Sequence, residues 1–63
     1  MTNGYVIYKE VGDGRNKTQY YFTGFQNQAK PEWDRLLSEA KLYKRIQGAK
    51  QIAHAMQGKV LAV

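Results

Sequence analysis

Two aromatic, β-branched runs face each other across a glycine-rich turn, and that pairing constrains the fold more than any other feature. Residues 5–11 read Tyr-Val-Ile-Tyr-Lys-Glu-Val and residues 18–25 read Thr-Gln-Tyr-Tyr-Phe-Thr-Gly-Phe. Both are rich in side chains that fit a pleated, half-buried surface. Between them lies Gly12-Asp13-Gly14-Arg15-Asn16-Lys17, whose Gly, Asp and Asn tolerate positive φ and so permit a reversal. An antiparallel hairpin follows. Gly24, inside the second run, marks a bulge or bend near its end.

The second constraint is a periodicity that one helix cannot satisfy. Pro31-Glu32-Trp33-Asp34 has an early proline and acids where a helix dipole is positive, so a helical turn is expected over Pro31–Ser38. Extended through residue 56, such a helix would gather Trp33, Leu36, Leu37 and Ala40 on one side. Ile46, Ala49, Ala53 and Met56 would gather on nearly the opposite side, at about 100° per residue. A helix apolar on two sides must be buried all round, and 63 residues cannot surround one. The segment is therefore expected to break near Lys41–Arg45. Ala40–Tyr43 becomes a short third strand or extended link, and Ile46–Gln57 becomes the main helix. Trp33, Ile46, Ile52, Ala53 and Met56 are expected to face the sheet, with Ala49 on the same helix side and Gln47, Gly48, Gln51 and His54 on the other. Gly58 supplies the stop. Residues 59–63 form a closing strand beside the first. The expected class is α+β: a small antiparallel sheet with one principal helix on one face, in a single domain spanning residues 1–63.

A chain this short has a thin core, and it contains no Cys and a single His, His54. Disulfides are excluded and a structural zinc site lacks its usual ligands; no cofactor is expected. The start, Met1-Thr2-Asn3-Gly4, shows no charged-then-apolar leader, and no apolar run reaches membrane-spanning length. A cytoplasmic protein is the expectation.

Charge is distributed unevenly. The acids Glu10, Asp13, Glu32, Asp34 and Glu39 all fall within the first 39 residues, where five bases balance them. Beyond residue 39 stand Lys41, Lys44, Arg45, Lys50 and Lys59 with no acid, so the whole excess of +5 lies there. A one-sided positive field attracts nucleic acid or an acidic protein surface. Against this stands the ordinary alternative of a solvated, Lys-rich helix face. Arg15, Lys17, Lys41, Lys44, Arg45 and Lys50 are the candidate phosphate contacts.

Catalysis finds little purchase. Ser38 is the only Ser, and it is separated from His54 by the expected helix break, so no nucleophile–base pair is indicated. Turn and helix-start chemistry accounts for the acid pairs Glu10/Asp13 and Glu32/Asp34. Gly12-Asp13-Gly14 lacks the Lys-Ser/Thr of a phosphate-binding loop. Tyr5, Tyr8, Tyr20, Tyr21, Phe22 and Phe25 must divide between the two sheet faces. Tyrosines left on the open face could stack on bases, although cross-strand aromatic pairs that stabilise the sheet explain them more simply. Trp33 is read as a core anchor and His54 as a solvent-facing helix residue.

Taken together, the aromatic hairpin, Trp33, Leu37, Ala40-Lys41-Leu42-Tyr43, Ala49-Lys50-Gln51-Ile52-Ala53, Val60 and Val63 resemble a pattern in short uncharacterised phage and prophage proteins. The chain departs from it at Arg45, where a Ser or Thr cap is expected. The resemblance implies a phage-type accessory protein, a class containing both DNA-binding factors and inhibitors of host enzymes. The expected function is non-catalytic nucleic-acid binding through a C-terminal basic surface. The alternative is an inhibitor or adaptor of a host enzyme that uses the sheet face or an edge strand, with homodimerisation through an edge strand a further option.

Overall fold

The computed structural model describes residues 3–26 and 30–63. Strands β1 (Tyr5–Val11) and β2 (Thr18–Gln26) form the expected hairpin, in a register that sets Tyr8 opposite Tyr21 and Val11 opposite Thr18. At the turn Gly12 has φ +130°, and a Cβ there would lie 2.1 Å from the Asn16 carbonyl oxygen, so only glycine fits. The closing strand β4 (Lys59–Ala62) lies antiparallel to β1, with Tyr5 opposite Ala62. Helix α1 (Ile46–Ala55) packs over β1 and β4. The α+β architecture is as the sequence indicates.

One element differs. Residues 30–34 form not a helical turn but a third strand, β3 (Lys30–Asp34), antiparallel to β2. The sheet order is β3-β2-β1-β4. Pro31 is tolerated because β3 is an edge strand, where a missing N–H costs the ladder least. Extension also places Trp33 directly opposite Phe22, with ring centroids 5.7 Å apart in an edge-to-face arrangement. Of the expected helical turn only a 3₁₀ turn at Leu37–Glu39 remains. The Asp34 carboxylate introduces it by accepting the Leu36 N–H at 2.9 Å. The bulge expected at Gly24 is present: the β2–β3 register shifts between Phe22 and Gly24, whose φ is +145°.

Residues 41–43 take an unusual position. Tyr43 exchanges both backbone hydrogen bonds with Tyr5, at 2.7 and 2.8 Å, while Lys41 N–H donates to the Phe22 carbonyl at 2.9 Å. The link is therefore wedged between β1 and β2 where the hairpin splays below the Ile7–Phe22 level. It is the extended link expected from the break in periodicity.

The core is Ile7, Phe22, Ala49 and Ala53, ringed by Tyr5, Trp33, Tyr43, Ile52, Met56 and Val60. Alanines at 49 and 53 let α1 sit close to the sheet. Ile46 departs from expectation: it is 39% exposed, because the first turn of α1 lies at the margin of the sheet. The helix ends in a Schellman motif. Gly58 N–H donates to the Ala53 carbonyl at 2.7 Å and Gln57 N–H to that of His54 at 3.2 Å. The left-handed residue is Gln57, at φ 57°, and not Gly58.

Candidate functional site

Strand alternation sorts the charges by layer. Ile7, Phe22, Trp33 and Val60 point toward α1, so Glu10, Glu32 and Asp34 point to the opposite face, as do Lys30 and Lys59. That face carries three acids against two bases. Lys59 Nζ lies 3.8 Å from a Glu10 carboxylate oxygen there. The segment from Arg35 through Gln57, which forms the 3₁₀ turn, the wedged link and α1, carries Arg35, Lys41, Lys44, Arg45 and Lys50 against Glu39 alone. Four of the five bases beyond residue 39 thus lie in this segment, and the fifth, Lys59, lies on the far sheet face.

Four of the six candidate residues fall in that segment. Lys44 and Arg45 are exposed at the N-terminal end of α1, and Lys50 is exposed one turn along it. Lys41 sends its ammonium to 5.5 Å from the centroid of the Tyr43 ring. Burial raises the pKa of the Tyr43 hydroxyl above the usual 10.0. Arg15 and Lys17 are exposed in the hairpin turn at the far end of β1, about 20 Å away for a strand of this length. The structure does not bring these two together with the other four.

Arg45 occupies the N-cap position with φ −113° and ψ 129°, and no side chain caps the helix. The first turn also lacks an acid. Free N–H groups, a positive dipole end and two cations therefore coincide.

A groove of about 390 Å³ runs between α1 and β4, lined by Lys50, Ala53, His54, Gly58, Lys59 and Val60. His54 and Lys59 were not among the candidate contacts. The spacing of Lys50 and His54, one helical turn apart, was the signal that could have found the first.

The tyrosines of the sheet face away from α1, Tyr8 and Tyr21, have neighbours of both signs, with Lys59 directly opposite Tyr8. Glu10 follows Tyr8 on the same face and Asp34 lies directly opposite Tyr21, whose hydroxyl accepts a 3.2 Å hydrogen bond from Gln19. Lys9 points to the other face, with its ammonium 4.3 Å from the Trp33 ring centroid. On this surface the acids Glu10, Glu32 and Asp34 outnumber the bases Lys30 and Lys59, which disfavours the phosphates that base stacking would bring with it.

Among the described residues no group of three or more His, Cys, Asp or Glu is placed to hold a metal ion, and no helix is long and apolar enough to cross a membrane. The chain matches no protein-family model, no curated protein and no solved structure.

Proposed function

We propose that this is a non-catalytic nucleic-acid-binding protein, of the phage accessory type its sequence pattern resembles, that grips the phosphate backbone with the cations of α1 and of the link leading into it. The observation that carries this reading is the charge of residues 35–57, five bases and one acid, with Lys44 and Arg45 beside the uncapped N-terminus of α1. Phosphate oxygens only accept hydrogen bonds, and free helix N–H groups only donate, so the two are complementary. Lys41, Lys44, Arg45 and Lys50 are the contacts. Arg15 and Lys17, remote from these cations, are outside the primary footprint. Such contacts position a duplex without reading its sequence.

Fluorescence anisotropy on duplex DNA across a salt series tests the reading. Each phosphate contact contributes about 0.9 to the slope of log K against log salt. The variant Lys44→Gln/Arg45→Gln/Lys50→Gln should fold and show a slope shallower by about 2–3. Arg15→Gln/Lys17→Gln should leave the slope close to that of the unmodified chain. A folded triple variant with an unchanged slope would remove these residues as phosphate ligands and the reading with them.

A further inference from the structure

The two edges of the sheet are not equivalent. The β3 edge is guarded: Pro31 lacks an N–H, and Glu32 and Asp34 flank it. The β4 edge has no such guard. Gly4 and Val63 exchange both backbone hydrogen bonds, at 3.2 and 2.9 Å. Alternation along an antiparallel ladder then turns Leu61 and Lys59 toward β1 and leaves the N–H and C=O of Val60 and Ala62 facing outward. Among the described residues nothing pairs with them.

Beside this edge lies the groove floored by Ala53, Gly58 and Val60 and rimmed by Lys50 and His54, with Lys59 lining its sheet end while its ammonium turns to Glu10 on the far face. Neither α1 nor β4 contains an acid. The feature therefore combines outward donors and acceptors at strand spacing with a pocket on the helix side whose rim is basic.

We infer that the β4 edge captures an extended acidic peptide as a fifth antiparallel or parallel strand, with an acidic side chain seated in the groove beside Lys50 and His54. The backbone groups choose a polypeptide: a nucleic acid's phosphates could accept from the two N–H groups but offer nothing to the outward carbonyls. Charge chooses an acidic sequence. A second copy of this chain would bring Lys50 and His54 of both copies to one seam, a like-charge juxtaposition. Alternation fixes the pattern of the ligand. Its acidic residues fall on the helix side, and apolar residues between them fall beside Leu61 on the other face.

This inference shares only Lys50 with the nucleic-acid reading, and the test separates them. The ¹⁵N-labelled full chain would be titrated with a short synthetic peptide alternating Glu and Val, and with the same peptide carrying Lys for Glu. The expected result is binding of the acidic peptide only, with slowed amide exchange at Val60 and Ala62. Ala62→Pro deletes one outward N–H without touching the β1 ladder, so it should fold and weaken binding about tenfold or more. Lys50→Glu, an exposed helix substitution that keeps the fold, should weaken it comparably. Four results would overturn the inference: equal binding of the basic peptide, shifts centred on Tyr8 and Tyr21 with Val60 and Ala62 unprotected, undiminished binding by Lys50→Glu, or concentration-dependent dimerisation through β4. Peptide protection of Val60 and Ala62 does not depend on Lys44 or Arg45, and DNA binding does not depend on the outward groups of Val60 and Ala62, so either reading can fail alone.

Discussion

Gln57→Gly should stabilise this protein, and the size of the gain follows from one dihedral angle. Gln57 has φ 57°, a conformation that costs a residue bearing a Cβ about 1–2 kcal/mol. Glycine removes that cost but has more unfolded-state freedom to lose, about 0.4–1 kcal/mol. The net is a gain of about 0.5–1 kcal/mol, or a midpoint raised by roughly 3–6 °C in a domain of this size. The neighbouring glycine has a different reason to be there. A Cβ at Gly58 would lie 3.0 Å from Ile7 Cγ2 and 3.2 Å from the Tyr8 carbonyl oxygen. Ile7 is fully buried and cannot yield, so Gly58→Ala should cost about 1–3 kcal/mol through overpacking. Differential scanning calorimetry on both variants reads the signs directly. If Gly58 were the left-handed residue, Gln57→Gly would place a glycine in the last helical turn and lower the midpoint. A lowered midpoint for Gln57→Gly would therefore refute the assigned helix end.

Two further outcomes check the core and the wedged link. Phe22 is fully buried between Phe25 and Trp33, at 5.1 and 5.7 Å between ring centroids. Phe22→Ala should cost about 3–5 kcal/mol of a total of about 3–9 kcal/mol for so short a chain, seen by circular dichroism as a melt lowered by roughly 15 °C or more. Tyr43, whose pKa burial raises, favours the neutral phenol in the fold. Its contribution is complete below the usual value of 10.0 and is lost as pH rises through the raised one. Tyr43→Phe should remove from the ultraviolet titration a component that ionises above 10.0.

The sequence reveals those parts of the fold whose signals are local. The hairpin is legible because Gly12 to Lys17 can only turn and the flanking runs can only pair. The start of α1 is legible because two apolar stripes on opposite sides forbid a longer helix. β3 is hidden because Pro31, Glu32 and Asp34 carry the local signature of a helix start, while the deciding interaction, Trp33 against Phe22, is a pairing across the sheet. The helix stop is misplaced by one residue for a similar reason. Gly58 answers to a close approach by Ile7, which no local pattern reports. At the candidate site, the basic excess is visible in composition, but the placement of Lys59 on the far sheet face, beside Glu10, is not. Lys9 and Glu10 are adjacent in sequence and lie on opposite faces, and only the register reveals that Glu10 meets Lys59.

The N-terminus of α1 is where local rules and the proposed function disagree, and that makes Arg45→Ser the most informative single substitution. An arginine at the N-cap leaves the helix donors uncapped and places a cation at the positive end of the dipole. The backbone at Arg45, φ −113° and ψ 129°, is already in the extended region a capping serine needs, and its carbonyl already accepts from Ala49 N–H at 3.2 Å. Serine there should accept from the N–H of Gln47 or Gly48 and raise stability by about 1 kcal/mol. The same change removes one cation from the set proposed to hold phosphate, so the salt slope on duplex DNA should become shallower by about 1. Stability and affinity should therefore move in opposite directions in one variant, which a loss of affinity through unfolding cannot imitate. A stabilised Arg45→Ser chain with full DNA affinity and an unchanged salt slope would mean that the missing cap serves no phosphate. Arg45 would then be a surface arginine at an uncapped helix, and the contact set would shrink to Lys41, Lys44 and Lys50.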